Sequence, residues 1–203
     1  LITMPHKVTT VGLLDEVSTA AKIAGACNAV KKNADGRLVG DMFDGEGFVR
    51  GLARKGCGLR GARVLVIGSG GVGSAIAASL AGAEIAEIAL YDVNAASAEA
   101  LGARLSAHYP ALKVSTGSND PEGFDIIVNA TPLGMNAGDP MPLDVSRIPA
   151  SAFVGEVVLK AETTAFLDAA IRRGCRVQVG IDMLFEQIPA YLEFFGYPTP
   201  VHA

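Results

Sequence analysis

The segment Val64-Leu65-Val66-Ile67-Gly68-Ser69-Gly70-Gly71-Val72-Gly73 constrains this chain more than any other. Its aliphatic and β-branched run reads as a buried strand. Glycines at G-x-G-x-x-G spacing then turn it into the Ala/Ile/Leu-rich helix 74–82. The first glycine permits a tight turn, the second lets the backbone approach a pyrophosphate, and the third lets helix pack on strand. Free N–H groups at the start of the helix offer a site for an anion. The motif alone is weak, because the chain holds 24 glycines. Followed by a second strand, Ile85–Tyr91, and by Asp92 about 20 positions on, it reads as a dinucleotide site and not as a plain βα turn. Gly68, Gly70, Gly71 and Val72 are the candidate phosphate contacts, and Asp92 is the candidate ribose contact.

Strands and helices go on alternating. Helix 95–107 has Asn94 as its candidate N-cap, and strands follow at 112–115, 124–129 and 153–159. Helix 164–173 stops at Gly174, strand 176–179 comes next, and an amphipathic helix covers 183–195. That order predicts an α/β fold with a Rossmann-type doubly wound parallel sheet at residues 49–182. Residues 1–48 read differently. They hold two short helices (8–15 and 18–25) and a hairpin, 28–32 with 37–40, turning at Asn33-Ala34-Asp35-Gly36. We read them as the C-terminal part of a smaller α/β substrate domain, to which 183–203 returns. The ligand cleft is expected between the two, at the carboxyl ends of the parallel strands.

Composition excludes several classes. With 203 residues, half of them apolar, and a net charge of −4, the chain has no basic stripe to bind nucleic acid. Its cysteines, Cys27, Cys57 and Cys175, are far apart, which argues against a zinc site or a disulfide framework and fits a reducing cytoplasm. No apolar run reaches the roughly 18–20 residues that span a bilayer, and Pro5, His6 and Lys7 break any signal-peptide core at the start. The expected partner is a small molecule, the expected state a monomer or homodimer.

Four further clusters carry polar chemistry. Thr3-Met4-Pro5-His6-Lys7 holds a lysine in a proline-stiffened turn, either a proton relay or a solvated charge. Gly25-Ala26-Cys27-Asn28 ends in an asparagine, commonly a turn or cap residue. The acids in Gly40–Phe48 either cap the next helix or set a carboxylate opposite Lys7. Asn129-Ala130-Thr131-Pro132-Leu133-Gly134-Met135 closes a parallel strand, where a polar loop touches nicotinamide or ribose or simply forms an Asx turn.

Taken in order, these clusters resemble the shikimate dehydrogenase family. Its pattern reads N-x-T-x-P-x-K, G-A-x-N-T, N-T-D-G-x-G-F, G-A-G-G, N-A-T-x-x-G-M and G-x-x-M-L-x-x-Q. The matching stretches are Leu1–Lys7, Gly25–Ala29, Met42–Phe48, Gly68–Gly71, Asn129–Met135 and Gly180–Gln187. The resemblance implies reversible hydride transfer between a nicotinamide cofactor and the ring alcohol of shikimate or a related cyclic hydroxy acid. It implies Lys7 and Asp44 as the catalytic pair. Asn28 and Gln187 fall on the ring hydroxyls, Thr3 lies near the substrate carboxylate, and Phe43 is at the substrate. Asn129, Thr131, Met135, Gly180 and Met183 are implied on the cofactor.

Departures from the pattern point to an altered pocket. Leu1 stands for asparagine, and Met42-Phe43 stand for the Asn-Thr before the catalytic Asp. Leu159 and Ala161 replace the tyrosine and proline of D-x-x-Y-x-P, while Thr164 is kept. Apolar residues where hydroxyls are read weaken binding of a polyol, so quinate or a less polar ring alcohol is an alternative substrate. A non-catalytic metabolite sensor is a third reading, and retention of both Lys7 and Asp44 opposes it. The chain begins inside the first motif, without the family's paired-serine segment, and a partial chain is expected. NADP-using relatives carry Asn-Arg-Thr after the second strand. Asp92-Val93-Asn94 offers a carboxylate there, so NAD is favoured over NADP.

Overall fold

The computed structural model describes residues 1–3, 5–160 and 163–199. Met4 and Ala161, named above, and residues 200–203 lie outside the described residues. In chain order the elements are α1 (Lys7–Val11), β1 (Glu16–Val17), α2 (Thr19–Ala24), β2 (Ala29–Lys32), β3 (Leu38–Asp41) and α3 (Asp44–Arg54). The larger part follows with β4 (Arg63–Ile67), α4 (Gly71–Gly82), β5 (Glu87–Tyr91), α5 (Ala95–His108), β6 (Lys113–Thr116) and β7 (Ile126–Asn129). It ends with β8 (Phe153–Glu156), α6 (Ala165–Arg172), β9 (Arg176–Gln178) and α7 (Gly180–Phe195).

Six strands form one parallel sheet in the order β6-β5-β4-β7-β8-β9. Side chains alternate across it with the two-residue period of a strand. Val64 and Val66 of β4 join Ile88, Val128, Ile76 and Leu80 on one face. Leu65 and Ile67 join Ile127, Val154, Phe166 and Leu167 on the other. Each fully buried aliphatic side chain contributes about 1.5–3 kcal/mol, and both faces are covered by helices. The chain runs outward from β4 to β6, then returns to β7 on the other side of β4. That reversal opens a crevice at the carboxyl ends of β4 and β7.

The smaller sheet has the order β1-β3-β2, with β2 and β3 antiparallel and β1 parallel to β3. The expected helix 8–15 is cut short because Glu16 and Val17 pair with Val39 and Gly40. α2 is capped by Ser18, whose hydroxyl accepts from Ala21 N, and stops at Gly25 in the left-handed conformation. Asn94 does precede α5 but makes no side-chain cap. Asp92 accepts the Asn94 N–H instead, at 2.9 Å.

α3 and α7 pack against each other and bring the small sheet to the large one. α7 starts at Gly180, earlier than expected, because Asp182 Oδ2 accepts from Val179 N. Arg50 holds Glu193 through two hydrogen bonds of 3.0 and 2.7 Å, and Lys31 Nζ donates to Phe194 O at 2.9 Å. These surface ties add little energy. They fix where the buried face of α7, with Met183, Gln187 and Ala190, lies over α3. No helix among the described residues is long and apolar enough to cross a membrane.

Candidate active site

Lys7 opens α1 and Asp44 opens α3, so 36 intervening residues fold to bring two helix starts together. Lys7 Nζ donates to Asp44 Oδ2 at 2.8 Å. The other carboxylate oxygen, Oδ1, accepts from Asn28 Nδ2 at 2.9 Å and from Gln187 Nε2 at 3.1 Å. Asn28 Oδ1 in turn accepts the Phe43 N–H at 2.9 Å, and the Tyr191 hydroxyl donates to Gln187 Oε1 at 3.2 Å. A carboxylate at the first turn of a helix is also favoured by the helix dipole. The Asp44 side chain is 6% exposed and that of Lys7 is 21% exposed, so the lysine is the member that reaches solvent. Cys27 N donates to Lys7 O at 2.9 Å, bracing α1 against the loop that carries Asn28.

The lysine and the carboxylate line a cleft of about 700 Å³ together with Gly70, Gly71, Val72 and Met135. A second cleft, of about 530 Å³, lies beyond Gly70 and is lined by Gly68, Tyr91, Asp92, Val93 and Asn119. The two share Gly70, Ala130, Thr131 and Pro132. They form an elongated space bent over the glycine turn, with the Lys7–Asp44 pair at one end and Asp92 at the other. Gly68 has φ +100°, and a Cβ there would sit 2.8 Å from Ala130 O. A side chain at Gly73 would collide with the Gly68 carbonyl.

At Gly70 and Gly71 nothing lies within 4 Å of an added Cβ, so the start of α4 faces open space. Ser69 Oγ, in the same turn, is buried and has no partner among the described residues. The Ser69 N–H is held by Asp92 Oδ2 at 2.7 Å. Open backbone donors at a helix start, with a carboxylate at the tip of the next strand, suit a dinucleotide's pyrophosphate and ribose.

Other sequence-derived candidates take different places. Thr131 and Met135 line the Lys7 end of the space, as Val72 does. Asn129 is wholly buried beneath them. Its Oδ1 accepts from Thr131 N and Oγ1, and its Nδ2 donates to Leu133 O, so it shapes the loop as an Asx turn. Gly180 is a packing glycine against the Val158 carbonyl. Met183 is 6% exposed and packs in the core with Phe48. Phe43 turns away from the cleft, its ring edge-on to Tyr191 and Phe194 at 5.2 and 5.4 Å. Met42 is buried beside Cys27 and Ala75. Thr3 is exposed, and its carbonyl accepts the His6 N–H at 3.0 Å.

Two residues escaped the sequence reading. Tyr191 lies four positions after Gln187, hence on the same face of α7, a spacing visible in the sequence. Glu156 ends β8 directly opposite Asn129 on β7. It is 1% exposed and accepts from Thr164 Oγ1 at 2.8 Å. Burial pushes its carboxyl up to about 7, against the Thr164 and Asn129 hydrogen bonds, and Asp168 adds to the rise. A charged residue closing an apolar strand was the available signal.

No family model matches the chain. A shikimate dehydrogenase (NADP(+)) of Rubrobacter xylanophilus is 36% identical over 209 aligned residues, covering 100% of this chain and 73% of that protein. Among solved structures, a shikimate 5-dehydrogenase from Listeria monocytogenes in complex with shikimate and NAD superposes with a TM-score of 0.89 at 27% identity. That match covers 98% of this chain and 73% of the other. A quinate dehydrogenase from Corynebacterium glutamicum in complex with NAD gives 0.84 at 32% identity, covering 96% and 71%. Identity of this extent along the whole chain, on a parallel sheet whose glycine turn faces a lysine–aspartate pair, places the chain in the shikimate dehydrogenase family of NAD(P)-dependent oxidoreductases.

Proposed function

We propose that the protein carries out reversible hydride transfer between a nicotinamide cofactor and the ring hydroxyl of shikimate or a related cyclic hydroxy acid. The observation that carries this reading is the Lys7–Asp44 ion pair lining the same cleft as Gly70 and Gly71. Gly68, Gly70, Gly71 and Val72 would hold the pyrophosphate, and Asp92 the adenosine ribose. When bound, the nicotinamide accepts or returns the hydride. The chain's own part is the proton. In oxidation the hydroxyl proton passes to the Lys7–Asp44 pair as the carbon loses hydride, and from there to solvent through the exposed side of Lys7. In reduction it returns by the same route. A placed acid–base group of this kind contributes about 10²–10⁴ in rate. Asn28 and Gln187 hold Asp44, and their remaining amide protons are available to ring hydroxyls. The substrate half then comprises residues 1–48 with the part of α7 from residue 183 on, and the cofactor half residues 49–182.

NAD is the proposed cofactor. Asp92 and Val93 line the adenosine end, and among the described residues no lysine or arginine lines the clefts on either side of Asp92. A phosphate on the ribose would meet a carboxylate without a compensating cation. Three free, buried cysteines fit a reducing cytoplasm as the site of the reaction.

Quinate or a less polar ring alcohol is the second reading. Leu159, 53% exposed, lines the cleft where the family pattern has tyrosine. Initial rates at the reduced-nicotinamide absorbance, with shikimate and quinate each paired with NAD and NADP, separate the two. Shikimate turnover with NAD supports the first reading, and quinate turnover alone supports the second. Failure with both acids while cofactor still binds overturns shikimate and quinate as substrates and points to a less polar ring alcohol or a metabolite sensor.

A further inference from the structure

The Tyr191 hydroxyl takes no part in the proton transfer described above, yet it stands two hydrogen bonds from the carboxylate that orients Lys7. We propose that Tyr191 is a positioning residue that fixes the amide of Gln187 and, through it, the carboxylate of Asp44; the proposal rests on the oxidoreductase reading of this cleft.

A primary amide has a donor end and an acceptor end, and only one of its two orientations can donate to a carboxylate. Both amides on Asp44 Oδ1 therefore need a donor on their oxygen to stay in register. Asn28 obtains one from the backbone, through the Phe43 N–H at 2.9 Å. Gln187 obtains one from the Tyr191 hydroxyl at 3.2 Å, one helical turn further along α7. The Tyr191 ring is held in turn by the edge of Phe43, 5.2 Å between centroids. Phe43 thus serves both locks, with its N–H on one amide and its ring against the tyrosine that holds the other.

Burial, followed by the charge of Asp44, pushes the phenol well above its ordinary pKa. Tyr191 is accordingly a donor across the whole working pH range. With both amides fixed, Oδ1 is taken and Oδ2 alone faces Lys7 Nζ. A Gln187 amide free to turn would unseat the carboxylate, and the lysine would lose its single position over the reacting alcohol.

Tyr191→Phe keeps the ring contacts and removes only the hydroxyl. In proton–nitrogen correlation spectra the Gln187 side-chain amide pair is assigned by its absence from Gln187→Ala. In Tyr191→Phe that pair is expected to shift toward the values of a solvent-averaged amide. Unchanged Gln187 amide signals overturn the proposal, whatever the substrate proves to be. With a substrate that turns over, Tyr191→Phe should lower kcat about tenfold and leave the cofactor KM in place. The double variant Tyr191→Phe/Gln187→Ala should be no slower than Gln187→Ala alone, because the tyrosine acts through the glutamine. Multiplying losses overturn the proposal. Absence of wild-type turnover on cyclic hydroxy acids strikes the functional reading instead, and the amide spectra then decide the role of Tyr191.

Discussion

In the turn after β4 the groups that face the cleft are backbone N–H groups, placed by one short stretch of sequence. Around Asp44 they are side chains drawn from α1, α3, α7 and the loop before β2. The glycine turn is constrained by its own residues, since Gly68 has φ +100° and a side chain at Gly73 would meet the Gly68 carbonyl. The Asp44 cluster is the reverse. Each member is replaceable in backbone terms, yet its orientation depends on a neighbour far away in the chain, as Gln187 depends on Tyr191 and Asn28 on the Phe43 N–H. Local geometry secures the glycine turn, and tertiary hydrogen bonding secures the Lys7–Asp44 pair.

The sharpest way to break that division is Lys7→Ala. It should lower kcat by about 10²-fold or more while cofactor affinity, read by fluorescence titration of the reduced nicotinamide, hardly changes. Parallel loss of cofactor binding would mean that the two ends are not separable. Next in size is Glu156, which ends β8 opposite Asn129, beneath the loop 129–135. Its carboxyl is raised from the ordinary 4.5 to about 7 by burial. Below about 4.5 it is protonated folded or unfolded, and its full contribution is present. Between 4.5 and about 7 the unfolded chain ionises first, so stability falls as pH rises, by on the order of 3 kcal/mol. Glu156→Gln should flatten that slope in denaturant titrations between pH 5 and 8 (roughly the window of the shift). A slope equal to that of the parent would show that Glu156 ionises freely in the fold.

Sequence reasoning succeeded where chemistry is local. The aliphatic run Val64–Ile67, the glycine spacing and the carboxylate just after β5 need no knowledge of the rest of the fold. It also paired Lys7 with Asp44, because a family pattern carries long-range information that periodicity lacks. Phe43 and Met183 lie apart from the cleft lining for different reasons. Phe43 precedes the start of α3 and packs on Tyr191 and Phe194 instead of following Asp44. Met183 shares the face of α7 that carries Gln187, one turn earlier, where that face packs on Phe48 in the core. Asn129 lies where it was expected, but its amide is consumed by Thr131 and Leu133, a balance of partners that only the folded loop reveals. Met42 was read as a lost polar contact, and the structure makes it core beside Cys27.

The smallest expected effect tests the cofactor end alone. Asp92 spans the turn, with one oxygen on the Ser69 N–H at 2.7 Å and the other on the Asn94 N–H at 2.9 Å. Its negative charge therefore sits where a ribose phosphate would come, and Val93, 94% exposed beside it, leaves room for a longer side chain. Asp92→Ala with Val93→Arg removes the repulsion and supplies a guanidinium able to grip a phosphate. The ratio of kcat/KM for NADP over NAD should rise about tenfold, equivalent to about 1.4 kcal/mol. The same substitution frees the Ser69 N–H and loosens the glycine turn, which should lower turnover with both cofactors alike and leave the ratio to report the charge. Reduced turnover with both cofactors at a constant ratio would mean that Asp92 acts only as a backbone brace. Its charge would then have no part in the choice of cofactor.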